Sequence, residues 1–226
     1  MYDTTDHPID WKIEDNNAFY DEIRPEGLQA LSIKAGLATG CDIKLLKPYW
    51  EQAEKILEVG CGFGRVIENL LTNGFQGEIT AIERNPSMYQ FTNAHYHDKI
   101  HAILNTDVFE LDHPKAYFDV IFFLWSGLAD TPPHRQTLAV KILASLLNKT
   151  GRLILDTMPM HTQPLDTEVL EKQSFQTKAA HSAISTYEAN YDEMNRYAAQ
   201  SGLSLLKLLH CKTDNNRERW LYVLTR

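Results

Sequence analysis

The feature that most constrains this chain is Glu58-Val59-Gly60-Cys61-Gly62-Phe63-Gly64, three alternate glycines between a short apolar run and an amphipathic one. Lys55 to Val59 has the length and apolarity of a buried strand, and Gly60 stops it. Arg65 to Thr72 then puts Val66, Ile67, Leu70 and Leu71 on one helical face, and Asn73-Gly74 closes that helix. A strand that passes directly into a helix through glycines opens a β-α-β unit. The glycines permit backbone conformations closed to other residues and let a ligand approach the main chain. In open α/β sheets such a turn lies beyond the carboxyl end of a strand, where ligands bind.

The alternation continues along the chain. Glu78 to Ile82 reads as a second strand, Asn85-Pro86-Ser87 as the entry to a helix running to about His95, and Ile100 to Leu104 as a third strand. Phe118 to Leu124 (FDVIFFL) is apolar on both faces, as suits a central strand. Pro133 opens a helix with Leu138, Ile142, Leu143, Leu146 and Leu147 at its apolar positions, Gly151 ends the turn, and Arg152 to Leu155 gives a fifth strand. Asn190-x-x-Glu193 has the form of a capping box for a helix ending near Ser201-Gly202. Leu203 to His210 and Trp220 to Leu224 close the pattern as two strands. The pattern predicts one α/β domain over residues 1–226, built on a mostly parallel seven-stranded sheet with an antiparallel C-terminal strand and helices on both faces. Residues 55–156 form the ligand-binding half and 190–226 the closing helix and strand pair. Residues 1–54, with a helix over Glu26 to Ala38, and the insertion 157–189, with a strand at Ala183 to Tyr187, are expected to cover one edge of the sheet.

Composition narrows the function. The chain has 226 residues, 22 Lys+Arg against 30 Asp+Glu, and a formal net charge of −8. That length is enough to bury one sizeable core. An acidic balance disfavours nucleic acid as a partner, because neutralising phosphates takes Lys and Arg. The longest apolar run, Val120 to Trp125, has six residues, against the roughly 18 a membrane span needs. The start, Met1-Tyr2-Asp3-Thr4-Thr5-Asp6, is polar and acidic, unlike a secretory leader. Cys41, Cys61 and Cys211 form no CxxC pair, which suits a reducing, cytoplasmic setting.

Spacing separates the glycine loop from other nucleotide loops. A dinucleotide fingerprint would place a third glycine at position 65, which is Arg65, and a Walker loop would need Gly-Lys-Ser/Thr. The remaining pattern, E-x-G-x-G-x-G, resembles motif I of the class I, Rossmann-like S-adenosylmethionine-dependent methyltransferases, and three later segments fall in that family's order. The resemblance implies that Glu83, after Ile82 and before Arg84, accepts hydrogen bonds from the adenosine ribose hydroxyls. It implies that Asp107 takes the adenine amino group and the Val108 N–H a ring nitrogen. It implies further that Phe118 to Leu124 is motif IV, with Leu124 passing under the methionine part of the cofactor. The cofactor-binding set is then Glu58, Gly60, Cys61, Gly62, Gly64, Glu83, Arg84, Asp107, Val108 and Leu124. Asp107 is also a natural helix cap, and Asp119, at the start of its strand, is not expected to touch ligand.

Methyl transfer from a sulfonium is an in-line displacement in which the cofactor brings the activated methyl and the protein supplies orientation and dehydration. A general base helps an alcohol or phenol and is dispensable for an amine that enters neutral. The family therefore carries no universal catalytic signature. Trp125 is a candidate for the pocket wall or else a core aromatic. His134 is a candidate base or else a surface residue at a helix start. Tyr20, within Asn17-Ala18-Phe19-Tyr20-Asp21, resembles the Tyr-Asp lid of small-molecule members. Tyr187 and Tyr191 either face the acceptor or pack. No metal site is expected, since none of the nine His falls in a ligand pattern such as HExxH. Leu124-Trp125-Ser126-Gly127 stands where amino-methylating enzymes for nucleic acids carry Asn/Asp-Pro-Pro-aromatic. The reading is methyl transfer to an O or N atom of a small molecule. The alternatives are a binding module without turnover, a protein or RNA methyltransferase, a nicotinamide-dependent reductase and an aminopropyl transferase.

Overall fold

The computed structural model describes residues 13–159, 167–171 and 173–226; parts of the expected cover and insertion, residues 1–12, 160–166 and 172, lie outside the described residues. In chain order the elements are α1 Ile13–Ala35, α2 Cys41–Leu45, α3 Lys47–Trp50, β1 Lys55–Val59, α4 Arg65–Thr72, β2 Glu78–Ile82, α5 Pro86–Tyr96, β3 Ala102–Leu104 and β4 Phe118–Phe123. They continue with a 3₁₀ turn Leu128–Asp130, α6 Pro133–Leu146, β5 Leu147–Thr157, β6 Thr167–Glu171, β7 Ser174–Lys178, β8 Ala183–Tyr187, α7 Tyr191–Gln200, β9 Ser204–Lys212 and β10 Glu218–Thr225.

One seven-stranded sheet runs β3-β2-β1-β4-β5-β10-β9. The pairs among β1 to β5 are parallel, and β10 is antiparallel to both β5 and β9. Strand order therefore reverses between β1 and β4, so the loops after these two strands flank the crevice where open α/β sheets hold ligands. Successive side chains of the central strands go to opposite faces. Leu57, Ile121, Phe123, Leu153, Leu155 and Tyr222 pack with α6 and α7, whereas Ile56, Val120, Phe122, Ile154, Leu221 and Val223 pack with α2, α3 and α4. Both faces are covered, which is why β4 carries no alternation of apolar and polar residues.

The Asn190 and Glu193 capping box forms with both reciprocal bonds. Asp119 stays clear of any cavity: its carboxylate accepts the Glu54 and Lys55 N–H groups, each at 2.8 Å, and the Asn148 side-chain amide. That last contact marks a departure from the expected fifth strand. β5 begins at Leu147, opposite Phe118, and residues 148–151 bulge before pairing resumes at Arg152 opposite Val120.

The covers differ more. α1 begins well before Glu26 and is broken at Arg24 (φ 59°), whose helical conformation Pro25 disfavours. The insertion supplies a three-stranded antiparallel sheet, β6-β7-β8, rather than one strand. Both additions lie over the carboxyl ends of the parallel strands and not along a sheet edge. The Asn16 amide both accepts from the Ser185 N–H and donates to its carbonyl, each at 2.9 Å, and Glu22 accepts from the His181 N–H at 3.0 Å. α1 and β8 thus form one joined roof.

Gly64 caps α4 in the left-handed region (φ 87°), and a Cβ there would lie 2.4 Å from the Tyr96 ring. Gly64→Ala is expected to destabilise the fold by at least about 1–2 kcal/mol from the left-handed backbone alone, before the ring is displaced. Chemical denaturation checks this, and an unchanged midpoint would contradict the left-handed conformation of Gly64.

Candidate functional site

The site grows from the end of β1. Gly60, Gly62 and Gly64 all have positive φ, at 68°, 54° and 87°. This sequence of left-handed residues carries the chain from strand to helix while leaving backbone exposed on one side. The loop is tied to its neighbour strand: the Gly60 and Cys61 N–H groups donate to the Ile82 carbonyl at 2.9 and 3.0 Å. The Gly62 N–H donates to Glu83 Oε2 at 2.8 Å, and the Asn85 N–H to Glu83 Oε1 at 2.8 Å. Thr92 Oγ1 donates to the Gly62 carbonyl. Glu83 is thus a buried carboxylate gripped by two main-chain donors. Burial pushes its pKa above the usual carboxylate range, and these two donors pull the other way.

A cavity of about 260 Å³ opens above this loop. Its floor comes from the ends of the parallel strands: Glu58 to Gly62 after β1, Glu83 and Arg84 after β2, Asp107 and Val108 after β3, Leu124 to Gly127 after β4 and Met158 after β5. Its roof comes from Phe19, Tyr20, Leu28 and Leu31 of α1 and from Thr177, Ile184 and Thr186 of the small sheet. Thr177 and Ile184 pair across β7 and β8, and Thr186 follows on the same face. Leu28 comes down on the loop: a Cβ on Gly62 would lie 3.0 Å from Leu28 Cδ2.

Of the sequence-predicted residues, the cavity collects Glu58, Gly60, Cys61, Gly62, Glu83, Arg84, Asp107, Val108, Leu124, Trp125 and Tyr20. Two of the predicted residues lie outside the cavity lining. Gly64 does not line the cavity, because it turns the chain into α4 against Tyr96. His134 lies exposed on the first turn of α6, away from the cavity. Tyr187 and Tyr191 do not reach it either: Tyr187 gives its hydroxyl to Glu193 at 2.8 Å, and Tyr191 is exposed. Tyr20 donates its hydroxyl to Asp130 at 3.2 Å. Burial raises its pKa well above the ordinary tyrosine value, so it is a neutral wall and not a base. Trp125 leaves β4 with positive φ (57°), and its ring lies 5.9 Å from the Arg65 guanidinium.

Two ionic clusters escaped the sequence reading. Below α1, Asp130 accepts from Arg84 Nη2 at 2.6 Å and from the Asn16 and Tyr20 side chains. Arg84 Nη1 also lies 3.9 Å from Asp107, whose other oxygen accepts the Phe109 N–H at 2.9 Å as a local cap. At the opposite wall, Arg219 donates to Asp156 and, at 2.6 Å, to the Ser126 hydroxyl, while the Ser126 N–H donates to Asp156 at 2.8 Å. Glu188, only 2% exposed, joins this cluster and accepts the Met158 N–H at 3.2 Å. The signal available was an acid at a strand end, Leu155-Asp156 and Tyr187-Glu188, the same signal that marked Glu83. Arg65, where a dinucleotide loop would have glycine, instead makes a buried bidentate pair with Asp42 at 2.9 and 2.8 Å.

Residues 56–151 match the family model of a methyltransferase domain. No curated protein matches the chain in sequence. Among solved structures, the chain is similar to the 1,6-didemethyltoxoflavin-N1-methyltransferase of Burkholderia thailandensis, with 14% identity, TM-score 0.71 and coverage of 98% of this chain and 94% of that one. It is similar to the CcbJ methyltransferase of Streptomyces caelestis, with 16% identity, TM-score 0.67 and coverage of 96% and 99%. A third similar structure is CalS10 of Micromonospora echinaspora, an amino pentose methyltransferase, with 14% identity, TM-score 0.60 and coverage of 96% and 98%. At these identities the structures establish the fold. Residues 56–151, the stretch that matches the methyltransferase-domain model, carry the glycine loop, Glu83 and Asp107. That domain match implies a methyltransferase with S-adenosylmethionine as its cofactor.

The residues present fit that cofactor, whose sulfonium and ammonium outweigh its one carboxylate. The cavity is lined by both acids (Glu58, Glu83, Asp107, Asp130, Glu188) and arginines (Arg65, Arg84, Arg217, Arg219), a set that can meet both signs of charge on that cofactor. A Cβ on Gly60 would meet only the Phe123 ring, at 3.9 Å, so the space beside that backbone is open to a ligand. Glu58 Oε2 is buried with no hydrogen-bond partner among the described residues.

Burial pushes the Glu58 carboxyl up to about 8, with Arg65 pulling it down and Glu83 raising it further. In the unfolded chain the group titrates near about 4.3. The folded chain therefore holds this proton more tightly, and the stability it contributes is full below the unfolded value and lost as pH rises to about 8. Glu58→Gln cannot ionise, so without ligand its Tm should gain on that of the wild type as pH rises through this window. A Tm difference independent of pH would contradict the burial argument.

Proposed function

We propose that the enzyme transfers a methyl group in-line to an O or N atom of a small-molecule acceptor. The observation that carries this reading is the roof. α1 and the β7-β8 hairpin extend over the carboxyl ends of the strands, and a roofed cavity of about 260 Å³ suits a small acceptor better than a polypeptide or a nucleic acid duplex. The acidic net charge of −8 supports the same reading. The names of the 1,6-didemethyltoxoflavin and amino pentose enzymes, both acting on small molecules, add support. Among the described residues no helix is long and apolar enough to cross a membrane. A cytoplasmic setting for one domain remains our proposal, supported by three free cysteines.

When bound, S-adenosylmethionine supplies an electrophilic methyl group on sulfur. The chain's own part is to bind, orient and exclude water. Glu83, held by Gly62 and Asn85, is already aligned and retains lone pairs for two vicinal hydroxyls. Asp107 and the Val108 N–H stand beside it for an adenine ring, and the glycine-loop backbone from Gly60 to Gly62, with Glu58 and Arg84, faces the remainder of the cofactor. Leu124 and Trp125 wall the passage towards the acceptor, and Phe19, Tyr20 and Leu28 keep water out from above. Fixing donor and acceptor in attack geometry is worth up to roughly 7–11 kcal/mol of barrier.

Calorimetric titration tests the reading. S-adenosylmethionine and S-adenosylhomocysteine are expected to bind and NAD not to; binding of NAD alone would overturn it. Glu83→Ala is expected to weaken S-adenosylmethionine by about 1–3 kcal/mol, and an unchanged Kd would remove Glu83 from the site. Labelled methyl transfer to a metabolite panel then separates an enzyme for small molecules from one for protein or RNA.

A further inference from the structure

Glu188, Arg219 and Ser126 line one wall of the cavity, and Asp156 backs it by accepting from the Ser126 N–H and from Arg219. Glu188 follows directly on β8, in the roof, and lines the cavity beside Ser126 and Met158, beyond Leu124 and Trp125 and across the switch point from Glu83. Its Oε2 accepts the Met158 N–H, and its Oε1 is buried without a hydrogen-bond partner among the described residues. Leaving a carboxyl oxygen in that state costs free energy unless another group fills it. Arg219 faces both Asp156 and Glu188 but spends its Nε on Asp156 and its Nη2 on Ser126, while Arg65 also acts on Asp156 and Arg217 lines the same cavity. The wall thus presents an unfilled carboxyl acceptor to the cavity, which suits a group that donates a hydrogen.

We propose that Glu188 is the catalytic base of the methyl transfer, accepting a hydrogen bond from the O–H or N–H of the acceptor and then its proton, so that the acceptor is an alcohol, a phenol or an amine. This rests on the methyltransferase reading and names the substrate class of the same cavity. In the step, the acceptor's lone pair forms a bond to the methyl carbon while the carbon–sulfur bond breaks and its electron pair stays on sulfur. The acceptor's O–H or N–H bond breaks in the same displacement or directly after it, and the proton goes to the Glu188 carboxylate. Burial raises the affinity of Glu188 for that proton above the ordinary carboxylate value; Arg219, the Ser126 hydroxyl and the Met158 N–H lower it, and Asp156 raises it. Tyr222, the other titratable group packed on this wall, has its own pKa pushed up to about 12 and stays neutral. The base is accordingly active above its titration and lost below it.

The test uses the full-length enzyme and its Glu188→Gln variant with methyl-labelled S-adenosylmethionine. The probes are 4-methylcatechol, tyramine and benzylamine, against pyridine and nicotinamide, which have a lone pair but no proton to lose at the reacting atom. The expected result is label only in the first group, a rate that climbs with pH, and a loss of about a hundredfold to ten-thousandfold in Glu188→Gln. The S-adenosylmethionine Kd should stay within threefold. Equal labelling of pyridine, or a variant keeping more than a third of the rate, overturns the proposal. A second readout needs no turnover: carbodiimide coupling of labelled methylamine to the S-adenosylhomocysteine-loaded protein, mapped by mass spectrometry. Modification at Glu188 supports the proposal even where none of the probes is methylated. A Glu188 left unmodified while surface acids couple overturns it. Failure of the wild type to bind S-adenosylmethionine overturns the functional reading itself, a result the calorimetry reports separately.

Discussion

The buried carboxylate of Glu83 joins the two halves of the site, because it accepts the Gly62 N–H with one oxygen and the Asn85 N–H with the other. The first bond fixes the glycine loop after β1, and the second fixes the entry to α5, where Asn85 caps the helix by accepting from Ser87 and Met88. A charged group 7% exposed is tolerable only when its acceptor capacity is used. Two lone pairs are spent on the protein's own backbone, and the rest are left for a ligand. This makes the loop rigid before any cofactor arrives, which lowers the ordering cost of binding.

The roof follows a different logic. α1 is attached by polar contacts: Asn16 to Ser185, Asn16 and Tyr20 to Asp130, Glu22 to the turn before β8, and Asn17 to Arg84 at 3.1 Å. Hydrogen bonds of this kind contribute about 0.5–1.5 kcal/mol each. A roof built from them separates at lower cost than the apolar faces of the main sheet. The polar joint is therefore the part of the fold suited to movement over the cavity.

The contrast explains what was legible in the sequence. β1, the glycine loop, α4, β2 and Glu83 were readable because they are governed by short-range rules: apolar periodicity, left-handed glycines and an acid at a strand end. The Asn190–Glu193 capping box was readable for the same reason. The first half of α1 was not, since its buried face carries Asn16 and Asn17 among its contacts and leaves no apolar stripe to detect. β7 was missed because its residues are largely polar and its order comes from pairing with β8 and β6. The ionic clusters were out of reach for a third reason. Arg84 meets Asp130 across 46 positions and Arg219 meets Asp156 across 63, and only the fold brings them together. Arg65 was legible only as a missing glycine, whereas its partner Asp42 shows what the position does.

The central claim is that the crevice between β1 and β4 holds S-adenosylmethionine with Glu83 on one side and the acceptor wall on the other. A crystal structure of the protein with S-adenosylhomocysteine tests it most directly. The account predicts ribose hydroxyls within hydrogen-bond distance of Glu83, the adenine beside Asp107 and Val108, and the sulfur facing Trp125 and Glu188. A ligand bound elsewhere, or one in the crevice with its ribose turned away from Glu83, would contradict it.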